Sequence, residues 1–127
     1  MFNKKNKQQL LQINDQQISS VIGEGYIFTG EVTGSSIIRI EGKVIGNVNV
    51  EAGVILGESG IIEGDITSNS VIIYGCVTGN IKTTQLEIKK TGCINGNITA
   101  DTLEIELGAK YNGTLKMEVP QILKEAS

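Results

Sequence analysis

The sequence predicts an all-β fold, a β-solenoid of about six coils, on three observations. Ile, Val and Thr together make up 39 of the 127 residues, and the chain has 16 Gly but only one Pro. Such a composition favours strands joined by tight turns over helices. A short motif built on two glycines recurs along the chain, and pairs of apolar residues spaced by two separate its copies.

The recurring motif reads approximately Gly-x-apolar-x-Gly-polar-apolar. Its four close copies begin at Gly42, Gly60, Gly75 and Gly92, and a looser copy on each side has one extra residue between its glycines. The second glycines of the six copies are Gly30, Gly46, Gly64, Gly79, Gly96 and Gly113. A repeat of about 17 residues is too short for a helical hairpin or a propeller blade. It can form one coil of about three short strands, stacked about 4.8 Å from the next coil.

The segments between the motif copies supply the remaining strands. Each contains a second apolar pair spaced by two: Ile38 and Ile40, Val54 and Leu56, Val71 and Ile73, Leu86 and Ile88, Leu103 and Ile105. Polar stretches at 67–70 and 82–85 are predicted corners. An antiparallel sandwich would explain the alternation, but it would not explain the regular return of one motif.

Stacking of the coils predicts two internal columns without a charged residue. The first column is Phe28, Val44, Ile62, Val77, Ile94 and Tyr111, and the second is Val32, Val48, Ile66, Ile81, Ile98 and Leu115. The residues that follow the second glycines, Asn47, Asp65, Asn80 and Asn97, are expected to form a ladder of side-chain hydrogen bonds between coils. Cys76 and Cys93 are expected to stack as a pair of reduced thiols.

The two ends of a solenoid present unpaired backbone groups and an apolar cross-section. The first column carries aromatic rings only at its ends, Phe28 and Tyr111, and Val32 and Leu115 end the second column. In one interpretation the rings and the chain termini cover the ends of a monomer. In the other, the rings contact further copies in end-to-end assembly. The residues alone leave both interpretations open.

Composition argues against several classes of function. The chain has no His and only two Cys, so neither the commonest general base nor a cysteine zinc site is available, and no catalytic residue, metal ligand or cofactor is assigned. The absence of Trp and the net charge of −3 argue against nucleic-acid binding. A left-handed β-helix acyltransferase, the nearest enzymatic rival, generally needs a catalytic His and a stricter repeat. The sequence also contains no Walker lysine pattern.

The charge distribution divides the chain into an arm and a body. Residues 1–20 carry three Lys and one Asp, whereas residues 21–118 carry seven basic and twelve acidic side chains. We predict a flexible basic arm over residues 1–17, a β-helix core over 18–118 and a tail over 119–127. No apolar run approaches the ~20 residues that cross a bilayer. The start lacks the apolar stretch of a secretory signal, so we expect a cytoplasmic protein.

The repeat copies resemble those of the bactofilins. The resemblance rests on Gly60-Ile-Ile-Glu-Gly64-Asp-Ile66 and Gly75-Cys-Val-Thr-Gly79-Asn-Ile81, together with the start, Met1-Phe2 followed by lysines. It covers about residues 18–118 and the first seven. It implies a right-handed parallel β-helix that polymerises without nucleotide into non-polar filaments by joining like ends. It also implies a scaffold that serves cell shape, wall synthesis, polarity or motility.

The resemblance also implies roles for particular residues. Tyr111 matches the apolar or aromatic residue of the last coil that is important for filament contacts, and a Tyr there suggests a more polar edge. The start, with Met1, Phe2, Lys4, Lys5 and Lys7, resembles the family's membrane-targeting segment.

The partners expected from the resemblance are further copies of the chain, anionic membrane lipid and wall-synthesis or motility proteins. The expected location is therefore the inner face of the cell membrane. The alternative remains a monomeric, capped solenoid that serves as a protein-recognition module.

Overall fold

The computed structural model describes residues 18–117, and every regular element within them is a β-strand. In chain order the strands are β1 Ile18–Ile22, β2 Ile27–Thr29, β3 Val32–Gly34, β4 Ile37–Ile40, β5 Lys43–Ile45, β6 Val48–Val50, β7 Gly53–Leu56, β8 Ile61–Glu63, β9 Ile66–Ile73, β10 Cys76–Thr78, β11 Ile81–Ile88, β12 Cys93–Asn95, β13 Ile98–Ile105, β14 Lys110–Asn112 and β15 Leu115–Met117.

The strands pair in parallel and form three faces of a solenoid. Face A is a six-stranded sheet in the order β14-β12-β10-β8-β5-β2. The other nine strands form one sheet that turns a corner and so makes two faces. Face B contains β3, β6, β15 and the first halves of β9, β11 and β13. Face C contains β1, β4, β7 and the second halves of the same three strands.

The predicted solenoid of about six coils is confirmed, and so is the register of its columns. On face A, Phe28 pairs with Val44, and the pairing continues through Ile62, Val77 and Ile94 to Tyr111. On face B, the second column runs without a break from Val32 to Leu115. The interior members of both columns are at most 1% exposed. The right-handed sense of the winding and the boundaries of arm, core and tail stay predictions.

The chain changes face at the predicted corners, 67–70 and 82–85, but the strands are not interrupted there. Both stretches lie inside strands, β9 and β11, which bend from face B to face C without leaving the ladder of backbone pairs. The hydroxyl of Thr83 donates a hydrogen bond of 3.1 Å to the carbonyl of Gln85 at this bend. Polar residues therefore mark a change of face here, but not an interruption of the strand.

The corner between faces A and B depends on the column of second glycines. All six have positive φ angles, from 133° at Gly30 to 157° at Gly64, which L side chains rarely adopt. A Cβ atom placed on Gly79 would lie 2.0 Å from the carbonyl oxygen of Gly64 in the previous coil. Backbone thus stacks on backbone at this corner, and no side chain fits between the coils.

The predicted polar ladder is confirmed, and its donors are backbone N–H groups. The side-chain oxygen of Asn47 accepts a hydrogen bond of 2.9 Å from the backbone N–H of Asp65 in the next coil. In the same way, the side-chain oxygen of Asp65 accepts from the backbone N–H of Asn80 at 2.9 Å, and that of Asn80 accepts from the N–H of Asn97 at 3.0 Å. Asn97 then accepts from both the N–H and the hydroxyl of Thr114. Each coil therefore satisfies a corner N–H of the following coil, which keeps the stack in register.

We expect Gly79→Ala to destabilise the fold by about 3 kcal/mol, because the new methyl group would combine backbone strain with overlap against Gly64. Thermal unfolding followed by circular dichroism measures the loss. Gly34→Ala is the matched control, since a Cβ there meets no atom within 4 Å. Equal melting temperatures for the two variants would contradict this account of the corner.

We expect Asn80→Ala to lower stability by about 1 kcal/mol, because the N–H of Asn97 loses its acceptor. Asn80→Asp retains an acceptor oxygen and should unfold close to the unchanged protein at neutral pH. Urea denaturation of the three proteins tests this comparison. The ladder would contribute nothing measurable if Asn80→Ala unfolded at the same urea concentration as the other two.

Candidate assembly interface

The exposed apolar residues of the structure are concentrated at its two ends. Among residues 18–117, eight of the ten exposed large apolar side chains lie in the first or the last coil: Val21, Tyr26, Ile27, Phe28, Ile105, Leu107, Leu115 and Met117. The other two, Ile45 and Ile61, point outward from face A. A soluble monomer rarely presents large contiguous apolar patches, so each end is a candidate contact surface.

The N-terminal end is formed by the edge strands β1, β2 and β3, each of which has a neighbouring strand on one side only within residues 18–117. Phe28 is 38% exposed there, and Val32 is half-buried against the core. The inward positions beside them on this coil are occupied by Ser20 and Gly34, which are small. The apolar area of this end therefore depends mainly on Phe28, Val32 and Ile22.

The C-terminal end is formed by β14, β15 and the second half of β13. Tyr111 is half-buried against the core, and Leu115 is 41% exposed. Three more side chains continue internal columns of the previous coil and are partly exposed: Leu103, Ile105 and Met117. The C-terminal end is the wider of the two apolar surfaces.

The hydroxyl of Tyr111 is used within the chain. It donates a hydrogen bond to the backbone carbonyl of Thr114, at the corner between β14 and β15. Partial burial raises the pKa of the Tyr111 phenol above its ordinary value, so the group is neutral at physiological pH. The more polar edge expected from a Tyr is thus reduced, because the hydroxyl already has a partner.

The four predicted contact residues fall into two groups. Phe28 and Val32 lie together at the N-terminal end, and Tyr111 and Leu115 lie together at the C-terminal end. Their role in assembly stays a prediction. The sequence columns did not indicate four of the exposed end residues, because none belongs to an internal column. Val21 and Ile27 face outward, and Tyr26 and Leu107 lie in turns.

The predicted membrane-binding residues lie outside the described residues. They are Met1, Phe2, Lys4, Lys5 and Lys7, and their role stays a prediction. No helix within residues 18–117 is long and apolar enough to cross a bilayer.

Cys76 and Cys93 stack on the outer side of face A, as predicted. They are direct partners in the pairing of β10 with β12, and both thiols are free. Partial burial, together with the neighbouring Cys93 thiol, raises the pKa of the Cys76 thiol. The thiolate of Cys76 is therefore scarce at neutral pH, which does not favour a reactive cysteine.

The part of the chain that the structure describes contains no group of three or more His, Cys, Asp or Glu side chains that could hold a metal ion. The acidic and basic side chains there form exposed pairs along the outer surface instead. Examples are Lys43 with Glu63 at 3.4 Å and Lys89 with Glu87 at 3.0 Å.

Comparison with known proteins gives one family and three related structures. The family model described as bactofilin, polymer-forming cytoskeletal, matches residues 20–116. The cryo-EM structure of Thermus thermophilus bactofilin double helical filaments is 27% identical, with a TM-score of 0.71, and the match covers 76% of this chain and 99% of that chain. Among curated proteins, none matches the sequence significantly.

Two further structures are similar to this chain. The structure of the cytoskeletal bactofilin BacA from solid-state NMR is 31% identical, with a TM-score of 0.71, and the match covers 79% of this chain and 95% of that chain. A crystal structure of a Thermus thermophilus bactofilin point mutant is 28% identical, with a TM-score of 0.66, and the match covers 68% and 98% of the two chains.

Proposed function

The chain belongs to the bactofilin family of polymer-forming cytoskeletal proteins, and we propose that its copies join end to end, without nucleotide, into non-polar filaments beneath the cell membrane. In this proposal the filament has no enzymatic activity. It acts as a scaffold for wall-synthesis, cell-shape or motility proteins. The observation that carries the proposal is the concentration of exposed apolar side chains at the two ends of the solenoid.

The end contact combines apolar burial with backbone pairing. Five apolar side chains cover the C-terminal end, and most of their surface is already buried, so a junction gains about 1 kcal/mol from each. A junction of two such ends gains about 10 kcal/mol, while association costs about 4–15 kcal/mol. The unpaired N–H and C=O groups of the edge strands must therefore contribute as well.

The basic arm supports attachment to anionic lipid. Each Lys near an anionic surface contributes about 1 kcal/mol, and a fully inserted Phe about 1.5–3 kcal/mol. One arm with Phe2, Lys4, Lys5 and Lys7 thus binds weakly. A filament that displays many arms binds strongly, because every further arm engages at high effective concentration.

We expect the purified protein to form filaments at low micromolar concentration without added nucleotide, and Tyr111→Arg to abolish them. An unpaired buried charge costs about 3–5 kcal/mol, so the variant should associate at least about 100-fold more weakly. Negative-stain electron microscopy and sedimentation velocity provide the measurement. Ile61→Arg places the same charge on the outer side of face A and should leave the filaments intact.

This prediction has two contrary outcomes. Filaments that persist in Tyr111→Arg would exclude the C-terminal end as the contact. A dispersed monomer of the unchanged protein at high concentration would favour the capped recognition module.

We expect the filament to float with vesicles that contain anionic lipid in a density gradient, and a deletion of residues 1–7 to stay at the bottom of the gradient. Tyr111→Arg retains the arm but not the filament, so it should bind these vesicles weakly. Vesicles of neutral lipid are the second control. Equal flotation of the intact and shortened proteins would exclude the arm as the membrane anchor, whatever the result for filament formation.

A further inference from the structure

Three isoleucines on the outer side of face C are buried as deeply as core residues. Ile37, Ile55 and Ile72, here called the outer isoleucine strip, are 5%, 3% and 6% exposed. They form a cluster separate from the core. Ile55 lies between Val54 and Leu56, which face the core, so its own side chain faces outward.

A matched pair of outward isoleucines behaves differently. Ile45 and Ile61 on face A also alternate with core residues, and they are 37% and 40% exposed. Neighbouring side chains of a sheet flank an outward side chain, but they do not cover its far end. The low exposure of Ile55 and Ile72 therefore requires a cover that face A does not have.

The described residues supply only part of such a cover. The partly buried apolar side chains packed against the strip are Ile18, Ala52 and Tyr74. Every strand within residues 18–117 belongs to one of the three faces, and none passes over face C. A cleft of about 500 Å³ lies beside the strip, with Ile55, Ile72, Arg39 and Tyr74 in its lining.

We propose that residues 8–17 of the same chain lie across the outer isoleucine strip and bury it with Leu10, Leu11 and Ile13. These three are the only apolar residues in a segment otherwise made of Gln, Asn and Asp. The described chain begins at Ile18, on face C and in contact with the strip. The segment that precedes Ile18 therefore starts beside this surface.

The distances allow this arrangement. Ile72 lies three coils from Ile18, which is about 14 Å at the spacing of paired strands. Ile13 precedes Ile18 by five residues, which span up to about 17 Å when extended. Residues 8–17 are therefore long enough to follow the whole strip.

The charge along face C favours the same direction. Beyond Ile72 the outward column continues as Glu87 and Glu104. Glu87 is paired with Lys89, whereas Glu104 has no cationic partner among the described residues. An arm that continues past the strip brings Lys7, the lysine nearest to residues 8–17, towards these carboxylates. The other terminal segment, 118–127, contains two Glu and one Lys and lacks this complementarity.

Cysteine trapping tests the proposal directly. In a Cys76→Ser/Cys93→Ser background, mild oxidation should join Leu11→Cys to Ile55→Cys within one chain. Leu11→Cys combined with Ile61→Cys is the matched control and should remain mostly reduced, because Ile61 faces outward from face A. Mass spectrometry of mixed ¹⁴N- and ¹⁵N-labelled protein distinguishes bonds within a chain from bonds between chains.

Hydrogen exchange gives an independent readout on the chain with its native cysteines. Amides of residues 8–17 should exchange at least about tenfold more slowly than in Ile55→Asn/Ile72→Asn. Ile45→Asn/Ile61→Asn should retain the protection. Circular dichroism confirms that both variants stay folded.

Four results would overturn the proposal. They are equal trapping in the control pair, bonds only between chains, trapping of Ile55→Cys by Ile122→Cys in place of Leu11→Cys, or exchange of residues 8–17 without protection. None of these results bears on filament formation, which depends on the ends of the solenoid.

Discussion

The approach of backbone to backbone at the corner between faces A and B is the constraint on which the structure depends. A Cβ on any of the second glycines from Gly46 to Gly113 would lie within 2.0 Å of a carbonyl oxygen of the previous coil. Coils can therefore stack at strand spacing only if glycine returns in every coil. The side-chain oxygens of the Asn47 ladder satisfy backbone N–H groups at the same corner. Sequence periodicity thus becomes a fixed register, which in turn places Val and Ile in continuous internal columns.

Adding further coils to such a stack never covers its two end surfaces. Each coil buries its apolar cross-section and its strand edges against the next, so the first and last coils leave theirs without a neighbouring coil. The same principle explains why large apolar side chains are exposed mainly at the ends of the described structure. The Tyr111 hydroxyl donates its hydrogen bond to the Thr114 carbonyl. The exposed edge of the Tyr111 ring therefore offers apolar surface without a hydroxyl that still needs an acceptor. In the proposed end-to-end assembly, the repeat that builds the solenoid therefore also leaves the surfaces through which copies join.

Much of this could be predicted from the sequence, because periodicity determines it. The columns, their register, the glycine corner and the ladder of Asn47 to Asn97 all follow from the spacing of one motif. The continuity of β9 and β11 through their bends did not follow, since polar residues such as Thr67 and Thr84 suit both a corner and an outward strand position. The sequence did contain a sign of the outer isoleucine strip, but the search for alternating apolar residues overlooked it. Runs such as Val71-Ile72-Ile73 place an apolar residue where an exposed strand would have a polar one.

In the proposed function, different surfaces of the solenoid serve two tasks, assembly of the filament and attachment to a membrane. In the proposed filament the ends make the assembly contacts, so the proposed membrane anchor would leave from a lateral face. If residues 8–17 follow the outer isoleucine strip, the lysines of the arm leave from face C in every subunit. The anchors then recur along the same lateral face of the solenoid. Weak arms carried by one filament act at high effective concentration once the first arm has bound. Face A, with Ile45, Ile61 and the paired thiols outward, is then free to meet other proteins.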